Sequence, residues 1–132
     1  MNNKTVFYKI KAKRSSAGLG LFAEENIPKG KKIVEYVGRV ITKEEEYTSN
    51  SKYLFEINSK VTIDGRDRSN IARYANHSHR PNAEPRIIKG QVFIYAIKNI
   101  KAGDEICYDY GKEYVDEHIK PKGCKCVKCT NK

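Results

Sequence analysis

The sequence has little of what marks a membrane-spanning, secreted or disulfide-rich protein. It contains no tryptophan, four prolines and four cysteines in 132 residues. No run approaches the about 18 consecutive apolar residues that a transmembrane helix needs. The first residues lack the apolar core of a signal peptide, so we expect an intracellular, cytoplasmic or nuclear protein with no membrane partner. One domain of this length buries about two-thirds of its unfolded surface without disulfides.

Acidic residues are scarce relative to basic ones, with 16 Asp and Glu against 26 Lys and Arg. The net charge of +10 favours polyanionic neighbours, but the basic residues are spread along the whole chain. They form no stripe, and the aromatic residues form no nucleic-acid platform. A solvated basic surface is therefore the better interpretation, and direct nucleic-acid binding is left as an open alternative.

Short β-type segments separated by Gly, Pro and Asn make up most of the chain. We predict strands over 6–12, 33–37, 39–41, 53–57, 61–63, 86–88, 92–97 and 105–110. Thr42 and Glu45 have capping-box spacing, which predicts a short helix to about Ser49. Two further helical turns are expected over 68–75, and loops over 13–18 and 76–85. The predicted fold class is mostly β, with few short helices.

Two octapeptides resemble each other, at residues 26–33 and 99–106. Both begin Asn-Ile and reach a glycine at their fifth position. Two copies are too few for a solenoid, which needs at least three stacked units. We interpret them as two similar strand–turn–strand corners.

Residues 18–23 read Gly-Leu-Gly-Leu-Phe-Ala, which satisfies the dinucleotide-binding pattern G-x-G-x-x-A. That pattern requires a helix directly after the glycines, but Pro28 and Gly30 follow too soon for one. The segment therefore predicts either an ordinary tight turn or a close backbone approach to a cofactor outside a Rossmann fold.

Three of the four cysteines lie close together in the C-terminal tail, at Cys124, Cys126 and Cys129. Disulfides between cysteines this close are strained, so we interpret them as thiolate ligands of one zinc ion. Three thiolates leave one tetrahedral position open, for which Cys107 and His118 are candidates.

Five motifs follow one another in a specific order. They are Gly-Leu-Gly-Leu-Phe at 18–22, Glu-Tyr-Val-Gly-Arg-Val-Ile at 35–41, Tyr-Leu-Phe at 53–55, Asn-Ile-Ala-Arg-Tyr-Ala-Asn-His-Ser at 70–78 and Gly-Asp-Glu-Ile-Cys-Tyr-Asp-Tyr at 103–110. This order resembles the SET-domain protein lysine methyltransferases over about residues 5–112. The tail at 113–132 resembles their post-SET segment. The resemblance implies several small curved β-sheets with a knot-like threading of the C-terminal stretch.

The resemblance also implies a cofactor, S-adenosyl-L-methionine, and the residues around it. Main-chain contacts to the cofactor are expected from Gly18, Leu19 and Gly20. Other expected cofactor contacts are Tyr53, Arg73, Tyr74, Asn76, His77 and Tyr110. The implied lysine channel is lined by Tyr36, Tyr53, Phe55, Tyr108 and Tyr110. By motif match Tyr110 is the catalytic tyrosine, and Tyr108 and Tyr36 are assigned to catalysis with it.

The implied chemistry explains why such a channel is aromatic. Methyl transfer needs a neutral amine, whereas free lysine has a pKa of about 10.4. A sulfonium cation and a desolvated channel both lower that pKa, so no carboxylate base is needed. A phenol at Tyr108 can hold an ordered water where a further methyl group would go. We therefore expect mainly monomethylation.

The resemblance places His79 beside the cysteine tail, where the family often has a zinc-ligating cysteine. We therefore expect His79 to complete the zinc site with Cys124, Cys126 and Cys129. The C-x-C-x2-C spacing of this tail is shorter than the family's usual C-x-C-x4-C.

Taken together, these residues predict a protein-lysine N-methyltransferase dependent on S-adenosyl-L-methionine. Its partner would be a protein with an exposed lysine, either a histone tail or another basic protein. The alternative is a catalytically silent module that keeps the fold and binds a lysine-bearing tail. The intact Tyr110 and the Asn76-His77 pair favour the enzyme.

Overall fold

A computed structural model of the chain describes residues 5–15, 18–51 and 53–110. These ranges contain ten strands, one α-helix (α1, Lys43–Thr48) and one 3₁₀ helix (Ile71–Tyr74). The strands are β1 Ile10–Ser15, β2 Gly18–Ala23, β3 Lys32–Tyr36, β4 Arg39–Thr42, β5 Leu54–Glu56, β6 Val61–Asp64, β7 Asn76–His77, β8 Ala83–Ile88, β9 Gln91–Ala96 and β10 Glu105–Tyr108. The predicted fold class, mostly β with few short helices, is confirmed. The knot-like threading and the division at residue 112 stay predictions.

Three small sheets organise the strands. The first has the order β1-β2-β10-β7, the second β3-β9-β8 and the third β4-β6-β5. In the first sheet, β10 pairs antiparallel with β2 and parallel with β7. Cys107 lies opposite Asn76, and Tyr108 lies opposite His77. This sheet therefore brings together three motifs that are far apart in sequence.

Most of the core comes from aliphatic side chains of the first two sheets and the corners beside them. Its largest fully buried apolar members are Leu21, Ile27, Ile33, Val34, Val92, Ile94, Ile100 and Ile106. Full burial of each such side chain stabilises the fold by about 1.5–3 kcal/mol. Alternate residues of a strand face the same side, so Tyr108 shares the buried face of β10 with Ile106.

The two similar octapeptides contact each other. Ile27 and Ile100 form an isolated antiparallel bridge with N···O distances of 2.7 and 2.9 Å. Asn26 and Asn99 each accept a hydrogen bond from a backbone N–H in the opposite corner, at 3.0 and 2.9 Å. Each asparagine thus stabilises the turn of the other octapeptide.

The capping box at the start of α1 is confirmed. The hydroxyl of Thr42 accepts from the N–H of Glu45 at 3.2 Å, and the Glu45 carboxylate accepts from the N–H of Thr42 at 3.2 Å. The helix has no buried residue, so its short length follows from the absence of an apolar face to pack. No helix within the described ranges is long and apolar enough to cross a bilayer.

Both predicted loops are wrong in part. Residues 13–15 extend β1, and β2 begins at Gly18. The two strands pair along their whole length, from Ile10 opposite Ala23 to Ser15 opposite Gly18. Within 76–85, two residues form β7 and β8 begins at Ala83. Pro85 is tolerated in β8 because this strand lies at the edge of its sheet.

The predicted helix over 68–75 is shorter than expected. Only the 3₁₀ turn at Ile71–Tyr74 forms, and the side chain of Asn70 makes no cap for it. That side chain instead accepts from the N–H of Val37 at 3.0 Å and donates to the carbonyl of Gly65 at 3.0 Å. Asn70 therefore joins three loops instead of extending a helix.

Candidate active site

An aromatic pocket of about 70 Å³ lies where the third sheet, the 3₁₀ helix and the end of β10 meet. It is lined by Tyr36, Tyr53, Leu54, Phe55, Arg73, Tyr108 and Tyr110. All five residues that were expected to form the lysine channel are therefore in one place. The sequence analysis did not predict Leu54 as a lining residue, because a leucine in a strand is not distinguished from an ordinary core residue. Arg73 was expected only at the cofactor.

The rings of the pocket contact one another. Tyr36 and Phe55 have ring centres 5.5 Å apart, and those of Tyr108 and Tyr110 are 5.1 Å apart. Tyr36 is 4% exposed and Tyr108 is 7% exposed. Among the described lining residues none is acidic, so none of these residues offers a carboxylate to a bound cation.

The carbonyl of Tyr53 fixes one wall of the pocket. It accepts from the hydroxyl of Tyr36 at 2.8 Å and from the N–H of Gly65 at 2.8 Å. A Cβ at position 65 would lie 2.5 Å from Cε1 of the Tyr36 ring, so only glycine lets that ring pack here. Gly65 was not singled out from the sequence. The Asp-Gly pair that ends β6 was its one local signal.

Tyr110 is held at both its main chain and its side chain. Its hydroxyl donates to the carbonyl of Ala75, and its N–H donates to Nδ1 of His77 at 3.1 Å. Its ring centre lies 5.4 Å from that of His77. The end of the first sheet thus connects the aromatic pocket to the segment at 73–77.

Asn76 connects that segment to the glycine motif. Its side-chain amide donates to the carbonyl of Leu19 at 3.0 Å and to the carboxylate of Glu105 at 2.9 Å. A Cβ at Gly20 would lie 2.5 Å from that carboxylate and 3.1 Å from the amide nitrogen of Asn76. Glycine at position 20 therefore permits this close approach. The contribution of Glu105 was missed, because its partner Asn76 lies 29 residues away.

His77 is buried, with its side chain 3% exposed. Burial lowers its pKa, while Asp109 opposes this effect and His79 adds to it. A neutral imidazole that accepts at Nδ1 carries its proton on Nε2. That Nε2 is buried and has no hydrogen-bond partner within the described residues.

Arg73, the first residue of the segment at 73–77, lies against two tyrosine rings. Its guanidinium carbon is 4.6 Å from the ring centre of Tyr53 and 5.0 Å from that of Tyr74. Its Nη1 donates to the carbonyl of Arg66, whereas its Nε is buried and has no partner in the described part of the chain. Two buried donors, at Arg73 and His77, thus belong to the segment expected to contact the cofactor. A polar ligand rich in acceptors, as S-adenosyl-L-methionine is, fits that donor set.

The expected zinc ligands are only partly described. His79 is exposed, and its ring packs edge-on against that of His77 at 4.7 Å. Cys107 is half-buried in β10, and its N–H donates to the side chain of Asn82 at 3.0 Å. The other ligand candidates, Cys124, Cys126, Cys129 and His118, lie outside the described residues. Within those residues no group of three His, Cys, Asp or Glu is arranged to hold a metal.

Comparison with known proteins gives the same family. The SET domain model matches residues 18–111. Over 105 residues the chain is 41% identical to a Schizosaccharomyces pombe protein named histone-lysine N-methyltransferase, H3 lysine-4 specific, which covers 70% of this chain and 11% of that protein. Over 131 residues it is 33% identical to histone-lysine N-methyltransferase trr of Drosophila melanogaster. That match covers 89% of this chain and 5% of the Drosophila protein. The chain therefore spans about a tenth or less of the length of these relatives.

A solved structure agrees with this result. A chain in a humanized mutant of the Chaetomium thermophilum Polycomb Repressive Complex 2 matches with a TM-score of 0.71 and 32% identity. The match covers 79% of this chain and 15% of that chain. The five ordered motifs all lie within the matched range of 18–111. The chain belongs to the SET domain family.

Proposed function

We propose that this chain is a protein-lysine N-methyltransferase that uses S-adenosyl-L-methionine. Its substrate is an exposed lysine of a histone tail or another basic protein inside the cell. The observation that carries the proposal is the aromatic pocket, which adjoins a segment with two buried donors that have no hydrogen-bond partner among the described residues. The names of the S. pombe and Drosophila relatives support the same reaction.

The pocket suits the neutral amine of a lysine side chain. Aromatic walls exclude water from the amine, and a desolvated ammonium loses its proton more readily than the free group with its pKa of about 10.4. The charged group in the described lining, Arg73, is itself a cation and offers no counter-ion to ammonium. The methylated product, still a cation, is stabilised by the faces of the tyrosine rings.

The cofactor would be held by two segments that the structure joins. Gly18, Leu19 and Gly20 supply main chain, and Asn76 fixes the carbonyl of Leu19. Arg73, Tyr74 and His77 complete this cradle, with donors at Arg73 Nε and His77 Nε2. When bound, the cofactor supplies a methyl group on a sulfonium cation.

Tyr110 positions the reacting amine in this proposal. Its ring lies between the pocket and the 73–77 segment, and its hydroxyl and N–H are both hydrogen-bonded to that segment. Alignment of two reacting groups accounts for up to about 7–11 kcal/mol of a barrier. A rigidly held tyrosine supplies such alignment without a proton transfer of its own.

The proposed product is chiefly monomethyl-lysine. Tyr108 and Tyr36 bring phenol groups to a small pocket, and the hydroxyl of Tyr36 is fixed on the carbonyl of Tyr53. An ordered water on the phenol of Tyr108 would occupy the space of a second methyl group.

We further propose that the tail at 113–132 is a post-SET segment that follows a catalytic domain at 5–112. Its three cysteines would bind one zinc ion together with His79. His79 is exposed, and its ring contacts that of His77, which in turn contacts the ring of Tyr110, three residues before the tail begins at 113. Metal binding would order the tail over the lysine channel.

The proposal is tested by incubating the purified chain with methyl-labelled S-adenosyl-L-methionine and with histones or lysate proteins. Label on a lysine side chain, located by mass spectrometry, is the expected result. Cofactor binding without transfer would favour the catalytically silent module. A chain that shows no cofactor binding and no methyl transfer would contradict the proposed function.

A further inference from the structure

Four exposed lysines lie in the two octapeptides that contact each other, or directly beside them. The bridge between Ile27 and Ile100 sets the register of this contact. Lys29, two residues after Ile27, therefore lies opposite Lys98, two residues before Ile100. Lys31 and Lys101 flank this pair along the chain. We call the four residues the lysine corner: Lys29, Lys31, Lys98 and Lys101.

Main-chain hydrogen bonds hold the lysine corner together. The N–H of Gly30 donates to the carbonyl of Ala96 at 2.8 Å, and the N–H of Ala96 donates to the carbonyl of Lys31 at 2.9 Å. The Cα atom of Lys31 is at most about 7 Å from that of Lys29, and the Cα atom of Lys101 is at most about 11 Å from that of Lys98, because they are two and three residues apart. The screening length at physiological salt is about 8 Å, so the four charges act together on a neighbouring polyanion.

The carboxylates near the lysine corner do not neutralise it. Among the ion pairs of the described residues, none includes one of the four lysines. The carboxylate of Asp104 accepts the main-chain N–H of Lys101 at 3.0 Å. Glu24 and Glu25 each contact a residue of the 9–13 segment instead. Like charges directly opposite each other destabilise a strand pair, so an anion beside Lys29 and Lys98 would relieve their repulsion.

The composition of the lysine corner favours a nucleic-acid duplex over a protein or a membrane. The large exposed apolar side chains of the described residues all lie outside it, at Val6, Leu19, Val40, Tyr47, Ile87 and Ile88. Protein interfaces have an apolar or aromatic centre and contain few lysines, and membrane-surface binding needs apolar side chains to insert. Contacts to a phosphate backbone need only cations. The rings of Phe7 and Phe93 are covered by the ammonium of Lys32, at 5.1 and 4.2 Å, and so are not open to stack on single-stranded bases.

We propose that the lysine corner binds the phosphate backbone of a double-stranded nucleic acid without reading its sequence. The corner lies at the end of β3 that is remote from the aromatic pocket. This strand starts directly after Lys31 and reaches the pocket at Tyr36, about 15 Å further on. A duplex bound at the corner therefore leaves the pocket open. The proposal does not depend on the proposed methyl transfer.

The test measures binding of the full chain to a fluorescent DNA duplex of mixed sequence and about two helical turns, between about 50 and 200 mM salt. The logarithm of the affinity should fall linearly with the logarithm of the salt concentration, by about 0.9 for each phosphate contact. Replacing all four lysines of the corner by Gln should lower the affinity at the lowest salt by about 10-fold or more and reduce this slope by about 2–4. Because the main chain holds the corner together, this variant is expected to fold. If thermal unfolding shows that it does not, the double variant Lys29→Gln, Lys98→Gln replaces it, with half the change in slope.

A matched control removes the same charge elsewhere. Both fourfold variants carry a net charge of +6, because each loses four positive charges from +10. The control should change the affinity by about threefold or less and leave the slope nearly unchanged. Its four substitutions replace exposed cations outside the corner and the pocket: Lys60→Gln, Arg68→Gln, Arg80→Gln and Lys89→Gln.

The outcomes separate this inference from the proposed function. Equal loss in the corner variant and the control would mean that only the net charge matters, and would overturn the inference. A wild-type chain that binds the duplex without salt dependence, or does not bind it, would also overturn it. So would polyglutamate that binds as tightly as the duplex and loses affinity in the corner variant, since the corner would then bind acidic proteins. A chain that binds the duplex through the corner but transfers no methyl group would support the inference and contradict the proposed function.

Discussion

The side-chain hydroxyl of Tyr110 donates a hydrogen bond to the backbone carbonyl of Ala75, 35 residues earlier in the chain. The main chain of Tyr110 is held as well, by Nδ1 of His77 at 3.1 Å. Both contacts follow from the parallel pairing of β10 with β7. The position of the proposed catalytic tyrosine therefore depends on one short, non-local strand pair.

Replacing Tyr110 by Phe should lower turnover by about 10²–10³, the effect of losing one positioned polar contact. The ring contacts with His77 and Tyr108 remain in this variant, so cofactor affinity should stay near that of the wild type. Methyl transfer at saturating substrate and calorimetry with the cofactor measure the two effects. Tyr47→Phe is the control, because Tyr47 is 92% exposed. More than half of wild-type turnover in Tyr110→Phe would contradict the assignment.

Replacing Tyr108 by Phe should shift the products from monomethyl- towards di- and trimethyl-lysine while total activity survives. Without the phenol, displacing the ordered water costs less, by about 0–2 kcal/mol. Mass spectrometry of a methylated peptide reads the product distribution directly. Tyr95→Phe, which changes a half-buried tyrosine outside the pocket, should leave the distribution unchanged. A wild-type chain that runs readily to trimethyl-lysine would show that Tyr108 does not restrict the product.

Protein freshly purified without chelators should contain about one zinc ion per chain, because three thiolates and one imidazole complete a tetrahedral site. Elemental analysis measures this content. His79→Ala should lose most of the metal. Full zinc in that variant would exclude only His79, and Cys107→Ala and His118→Ala then test the competing ligands. Less than half a zinc per chain in the wild type would refute the site at Cys124, Cys126 and Cys129.

Asp64 should stabilise the fold in a pH-dependent way. Burial raises its pKa, but hydrogen bonds from Arg66 and Ser51 outweigh burial, so the pKa lies below its usual value. Because the folded pKa is the lower one, the stabilisation is complete above the unfolded value of about 3.9 and is lost as the pH falls through the folded pKa. Ser51 and Arg66 both contact the carboxylate at 2.8 Å.

Asp64→Asn should therefore lower the free energy of unfolding by about 1–3 kcal/mol near neutral pH. The difference from wild type should shrink as the pH falls from about 3.9 through the folded pKa of Asp64, because the wild-type carboxylate is then protonated and has lost its charge. Urea unfolding near neutral pH and at a pH below the folded pKa measures this change. Glu84→Gln removes an exposed pair with Arg86 and should change stability by less than about 0.5 kcal/mol. An Asp64→Asn loss that does not depend on pH would mean that the charge of Asp64 is unimportant.

Local features, which depend on residues close together in the sequence, were predicted from the sequence alone. The capping box of Thr42 and Glu45 begins α1 as expected. The predicted strands over 86–88 and 92–97 lie within β8 and β9, apart from residue 97, and these two strands form a hairpin that turns at Lys89 and Gly90, whose φ angles are 51° and 81°. The order of five motifs was sufficient to identify the family, because each motif is a short segment that the sequence shows complete.

The tertiary structure decided which of those segments meet. Residues 13–15 became strand, against their polar composition, because β2 pairs with them along their whole length. Asn76 reached Glu105 and Leu19, and Arg73 entered the aromatic pocket, through contacts between residues distant in sequence. Side-chain periodicity reports which face of a strand is buried, but it does not report which other strand lies beside it. That choice depends on backbone hydrogen bonds and packing across the whole sheet, and it determines the site.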